Sequence, residues 1–233
     1  MFHFYFGEDD FRIYEEYRSL RDSLTEHESL DTNNVVLTAR GLSPQELIQH
    51  VAAAPFLGEA RLVAVDGLLT SLGRGQETLH EWQSVLDVIL ELPSTNHLAL
   101  LEPLQTRDRR LSLERSALAK ALRTIDNADI REFRELRTYG RRGEPSEVMQ
   151  WVLEHAHKRE VNIEQTALQE LVDLVGANLW SLSSEIDKLG QYANNRAVTT
   201  NDVRTLTPES TNDGIFDLVD AVVEGRPDAA LIL

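Results

Sequence analysis

The chain has no cysteine among its 233 residues. That excludes disulfides, thiolate nucleophiles and every cysteine-ligated zinc or iron–sulfur site, and it fits a reducing compartment. Positive charge is scarce too: 23 Lys and Arg stand against 39 Asp and Glu, a formal net charge of −16. Such a surface repels a phosphate backbone, which argues against nucleic-acid binding over a wide face and leaves only a local basic patch to consider. No apolar run approaches the roughly 20 residues of a membrane span, and the N-terminus lacks the basic-then-apolar pattern of a signal peptide. A soluble, cytoplasmic protein without a membrane partner is expected. The sequence also lacks G-x-S-x-G, H-E-x-x-H and any Gly-Lys followed by Ser or Thr, so the common nucleophile, zinc and phosphate-loop signatures are missing. No cofactor is expected.

What is present is enough apolar material, 42% of the residues, to bury the cores of two modest domains. Short apolar runs predict strands at 2–6, 35–39, 62–66, 98–102 and 130–136, and charged amphipathic segments separate the first four. Runs apolar on successive residues indicate strands covered on both faces, so residues 1–140 read as a doubly wound α/β domain. "SPQELIQHVAAA" is its best-marked helix, with Ser43 as cap, Pro44 at the first helical position and Glu46 completing a capping box.

Beyond "YGRRGEPSE" the pattern is only helical. Val148, Trp151, Val152 and Ala156 share one face, Asn162 caps a second helix carrying Leu168, Leu171, Val172 and Val175 up to Gly176, and Asn178 starts a third with Leu179, Leu182, Ile186 and Leu189. A three-helix domain over 141–207 follows. "TPESTNDG" reads as a linker, and "IFDLVDAVVEG" as the entry to a third domain over 208–233. The final "GRPDAALIL", with Pro227 and Asp228 in a first helical turn, stops mid-pattern, which predicts a fragment of something longer.

The turn after the first strand, "FGEDDFR", has Gly7 but sets Glu8, Asp9 and Asp10 where phosphates would lie; a capped helix start is the ordinary reading. Asp66 in "VAVDG" has the form of a magnesium-holding strand end, yet Asp before Gly is a common turn signal and that reading is favoured. His155 and His157, two apart on a helix, point about 200° apart, cannot share a metal, and are expected at the surface. Glu15 with Glu16, and Asp9 with Asp10, read as solvated helix faces. Arg107, Arg109, Arg110, Arg115 and Lys120 cluster in "TRDRRLSLERSALAK"; a charge-rich loop entering a helix is the plain reading, and Arg107, Arg109 and Arg110 as a DNA or acidic-partner contact is the sharper one.

The corner "AAAPFLGEARLVAVDG" sets Phe56 and Leu57 between Pro55, which interrupts a helix, and Gly58, which permits a sharp turn. Apolar residues at corners are usually buried, so the residues alone favour Phe56 folded back beneath the sheet edge.

Several segments, in order, resemble the delta subunit of bacterial DNA polymerase III, the clamp-opening member of the clamp loader: "YFGEDDFRIYE", "PFLGEARLVAVDGLL", "RRLSLERSALAKAL", "IREFREL", "LVDLVGANLWSLSSEIDKLGQYA" and "ESTNDGIFDLVDAVVEGR". The resemblance implies an AAA+-like fold that has lost ATP hydrolysis, with Gly7, Glu8 and Asp9 at the position of a degenerate nucleotide site. It implies a three-helix lid-like domain and the start of a helical collar. It implies a protein lever that binds the ring-shaped sliding clamp and opens it during DNA replication, catalysing nothing alone but belonging to a DNA-directed DNA polymerase (nucleotidyltransferase) assembly. Its partners would be the clamp, the other loader subunits through the collar, and DNA only indirectly. The family's clamp wedge falls on Pro55, Phe56 and Leu57; Pro55 stands where some members carry leucine, which makes Leu57 the candidate second anchor. The resemblance reverses the residue-based expectation and turns Phe56 outward. A drifted but active AAA+ nucleotide switch is the alternative.

Overall fold

The computed structural model describes residues 1–24, 30–140 and 144–208. The linker from residue 209 onward, the helix at 215–225 and the closing Pro227–Asp228 turn therefore lie outside the described residues. The chain divides into two compact units, Met1–Glu135 and Leu136–Leu233.

The first unit runs β1 (Phe2–Gly7), α1 (Asp10–Leu24), α2 (Leu30–Asn33), β2 (Asn34–Thr38), α3 (Pro44–Ala52), β3 (Arg61–Asp66), α4 (Leu68–Ser71), α5 (Gln76–Glu81), α6 (Gln83–Leu90), β4 (Asn96–Pro103), α7 (Arg107–Arg115), α8 (Ala117–Leu122) and β5 (Asp129–Phe133). The strands form one sheet in the order β2-β3-β4-β1-β5, every neighbouring pair parallel. Parallel strands need crossover helices, and those helices cover both faces, which is why the central strands are apolar on successive residues. On one face Phe2, Phe4, Phe6, Val63, Val65, Leu98 and Leu100 meet Leu47 and Val51 of α3 and Val85, Leu86 and Ile89 of α6. On the other, Tyr5, Leu62, Ala64, Ala99 and Leu101 meet Ile13 and Tyr17 of α1. Each large side chain so buried contributes about 1.5–3 kcal/mol.

Two polar groups interrupt this interior at opposite ends of β4. At its start His3 Nε2 lies 3.0 Å from His97 Nδ1, and Tyr5 Oη donates to Asp129 at 2.8 Å. Burial lowers the pKa of both histidines, that of His97 to about 4. At its end Glu102, fully buried, accepts the amides of Leu69 and Thr70 at the start of α4, and burial pushes its carboxyl up to about 7.

Local capping explains the helix boundaries. Ser43 accepts the Glu46 amide, as expected, and opens α3, but Glu46 returns no bond to the Ser43 amide, so the expected capping box is only half formed. Asp9 is not a solvated acid: it is buried, its carboxylate accepting the Arg12 amide at 3.0 Å and Arg12 Nε at 2.6 Å, because the free N–H groups at the start of α1 need an acceptor. Of the Glu15–Glu16 pair, Glu16 is tied to Arg131 at 2.7 Å.

The second unit holds α9 (Glu147–Lys158), α10 (Gln165–Val175), α11 (Leu179–Ala193) and α12 (Thr200–Leu206). Three of these are the expected helices, and Val148, Val152, Ala156, Leu168, Leu171, Leu182, Ile186 and Leu189 are buried between them. Asn178 caps α11, and Gly176 ends α10 at φ +78°. Asn162 does not cap α10: it lies beside a parallel bridge between Ile163 and Val198, which keeps the chain extended and moves the cap to Glu164. α12 is an addition, opened by a capping box between Thr199 and Asp202. His155 is not at the surface: it is buried, with Nε2 2.9 Å from Ser183 Oγ and its ring stacked on Trp151, because its position faces α11. His157 is exposed, as expected.

Candidate functional site

The corner that joins α3 to β3 turns its apolar side chains outward. Phe56 is 61% exposed and Leu57 88%, which overturns the expectation from residues alone that Phe56 folds back beneath the sheet edge. Pro55 is half-buried beside them, and Ala60 is buried where β3 begins. The sharp turn falls on Leu57 at φ +50°, and Gly58 is not in the left-handed region. A leucine in that region costs about 1–2 kcal/mol, so the turn needs support from around it.

That support comes from polar side chains around the corner, buried at Asn33 and Asn96 and half-buried at Asn34 and Arg61. Asn33, the last residue of α2, has no exposed surface; its Oδ1 accepts the Phe56 amide at 2.7 Å and its Nδ2 donates to the Phe56 carbonyl at 2.8 Å. Asn96, at the start of β4, donates to the carbonyls of Val51 and Ala53 at 2.7 and 2.9 Å and so closes the end of α3. Arg61 Nε donates to the His50 carbonyl at 2.9 Å. Asn34, next to Asn33, accepts from Tyr17 Oη of α1 at 2.9 Å. Asn33, Asn96 and Arg61 escape sequence reasoning because their partners are distant in the chain; an asparagine just before a strand is the one weak local signal.

The turn from β1 to α1 is built the other way, with its polar groups spent inward. Only Glu8 and Asp9 separate β1 from α1. Gly7 sits at φ +147°, and a Cβ there would lie 2.0 Å from the Phe133 carbonyl oxygen. The Asp9 amide donates to that oxygen at 3.1 Å, and the Gly7 carbonyl accepts the Leu104 amide at 2.6 Å. Glu8 forms an ion pair with Arg110. The acids at 8 and 9 are thus paired or turned inward, and the case against phosphates here rests less on their repulsion than on a two-residue turn with its Asp9 N–H already engaged. Beside the turn lies a cavity of about 420 Å³ whose charged lining is Glu8, Arg110, Glu114, Arg123, Glu132 and Arg134. Arg134 pairs with Glu132 at 2.9 Å, and the Arg123 guanidinium lies 4.5 Å from the Phe6 ring centre.

Other expected residues are not drawn into a site. Asp66 ends β3 in an exposed turn, accepting Tyr14 Oη at 2.7 Å, with Gly67 at φ +69° behind it. Arg109 Nη1 donates to the Pro103 carbonyl at 3.3 Å, and Arg107, Arg115 and Lys120 are exposed on α7 and α8. Among the described residues no three His, Asp or Glu side chains are grouped to hold a metal, and no helix is long and apolar enough to cross a membrane.

A five-stranded parallel sheet in this order, with helices on both faces, puts the protein in the AAA+-like class. Its fold is similar to the RuvB Holliday junction branch migration motor of Thermotoga maritima, with a TM-score of 0.50 and 11% identity over 87% of this chain and 59% of that one. The DNA polymerase III delta-subunit family model matches residues 3–128, more than half of the chain, and a family model described as a middle domain matches 144–205. The chain belongs to the DNA polymerase III delta-subunit family. It is 28% identical to the DNA polymerase III subunit delta of Bacillus subtilis over 97% of its own length and 62% of that protein's. It is similar to the solved DNA clamp loader delta protein of Bacillus subtilis, with a TM-score of 0.67 and 26% identity over 99% of this chain and 65% of that one. A probable delta subunit of Aquifex aeolicus is 33% identical over 33% of this chain and 22% of that protein. The chain thus spans a little under two thirds of the Bacillus relatives it matches.

Proposed function

We propose that this chain is the clamp-engaging part of a clamp-loader delta subunit, and that it acts as a non-hydrolysing lever that binds a sliding clamp and opens it during DNA replication. The observation that carries the reading is the exposed pair Phe56 and Leu57 on a corner held from behind by Asn33. A rigid corner loses little conformational freedom on binding, and two apolar side chains entering a pocket make a compact hot spot. Pro55 supports the pair from its half-buried position. The partners are the sliding clamp and, through the collar that the family resemblance implies, the other loader subunits; DNA is met only through them. The setting is the cytoplasm, and no catalytic step or cofactor belongs to the chain itself. The absence of a Gly-Lys-Ser/Thr motif and the two-residue β1–α1 turn support a role without hydrolysis.

A calorimetric titration with the cognate sliding clamp tests the reading. Wild type should bind, and a Phe56→Ala, Leu57→Ala double variant with an unchanged melting temperature should not bind measurably. Equal affinity for both proteins would remove the corner from the interface.

The second reading, a drifted AAA+ nucleotide switch, is favoured by the arginine-bearing cavity at the end of β1. Filter binding with labelled ATP separates the two: stoichiometric retention favours the switch, and background retention favours the lever.

A further inference from the structure

We infer that Asn33 is the latch of the corner: it presets Phe56 for the clamp and confines recognition to side chains. The inference rests on the reading of Phe56 and Leu57 as a clamp wedge. Asn33 is wholly buried, yet both its donor and its acceptor are spent on the backbone of one exposed loop residue, Phe56. This paired contact mimics what a neighbouring strand would give Phe56, and it has two consequences. The Phe56 N–H is spent and its C=O already accepts one bond, so a clamp strand cannot exchange the usual pair of bonds with this residue and recognition falls to its ring. The left-handed turn at Leu57, disfavoured for an L side chain, is held in place because the residue before it cannot rotate away. Asn34 extends the mount to α1 through Tyr17, so the corner is fixed to the helical layer as well as to the sheet.

A preset corner acts on the encounter. When only a fraction of free molecules holds the binding conformation, apparent affinity falls by that fraction. Asn33→Ala should therefore lower the clamp association rate about tenfold and leave the dissociation rate within about twofold, because the bound ring still fills the same pocket. Phe56→Ala should instead speed dissociation.

The test combines stopped-flow binding of the cognate sliding clamp by wild type, Asn33→Ala and Phe56→Ala with amide hydrogen exchange of the free wild-type chain. Slower association by Asn33→Ala at a temperature where it remains folded supports the latch. Unchanged association by Asn33→Ala with weakened binding by Phe56→Ala overturns the latch and leaves the wedge standing. Unchanged binding by both overturns the wedge reading and the latch with it. If Asn33→Ala does not fold, exchange decides: the latch requires the Phe56 amide to exchange at least about 100-fold more slowly than those of Gly58 and Glu59, and equal rates overturn it.

Discussion

The two turns of the first unit solve opposite problems with the same chemistry. At the α3–β3 corner, buried amides hold the backbone so that Phe56 and Leu57 face outward. At the β1–α1 turn, carboxylates and backbone groups are consumed by Arg12, Arg110, Leu104 and the Phe133 carbonyl. Hydrogen bonds to a backbone leave side chains free to bind, whereas side chains spent on their own chain leave only stability behind. The corner thus leaves two apolar side chains exposed, whereas the turn spends its polar groups on the fold.

Gly7→Ala should break the comparison most severely. A Cβ 2.0 Å from the Phe133 carbonyl forces β1 and β5 apart and should lower unfolding free energy by about 3 kcal/mol. Chemical denaturation reads this, and clamp affinity of the folded fraction should not change.

Glu102 gives an effect of similar size with a definite sign. Its folded pKa, about 7, lies above the ordinary glutamate value of 4.5, so the folded state keeps a proton that the unfolded state releases. Its contribution is full below pH 4.5 and is lost as pH rises through 7. Denaturation of wild type and Glu102→Gln from pH 4.5 to 7.5 should show the Gln variant gaining on wild type by up to about 3 kcal/mol. The opposite slope comes from His3 and His97, held neutral by burial: as pH falls from 6.5 towards 4, the unfolded state takes protons that the folded state refuses, and stability falls.

At the corner, Phe56→Ala alone should cost about 1.5–3 kcal/mol of clamp affinity, roughly 10–150-fold, with no change in melting temperature. The smallest effect belongs to Arg110→Ala. Arg110 and Glu8 are both partly solvated, so their pair contributes less than about 1 kcal/mol, a loss that thermal denaturation should barely resolve.

These contrasts also mark what was legible in the sequence. β1, β3 and β4 stood out because strands buried on both faces are apolar on successive residues. α11 stood out because its cap, Asn178, and its apolar spacing agree. α12 did not, since "TNDVRTL" buries little beyond Val203 and is marked mainly by its capping box. His155 was misjudged because residue-type averages say nothing of a particular Ser183 on a facing helix. The exposure of Phe56 contradicts the general habit of corner residues, and its cause, Asn33, lies 23 positions away. Long-range polar contacts of this kind leave almost no local trace.

If the Phe56 ring enters the clamp, its surroundings must change from solvent to protein on binding. The most direct measurement replaces Phe56 with 4-fluorophenylalanine and follows its single fluorine resonance as the cognate sliding clamp is added. The free chain should give a solvent-exposed signal, replaced on binding by a new, solvent-shielded signal that grows to one equivalent per bound chain. Saturated binding with the fluorine signal unmoved and still open to solvent would contradict entry of the ring into the clamp.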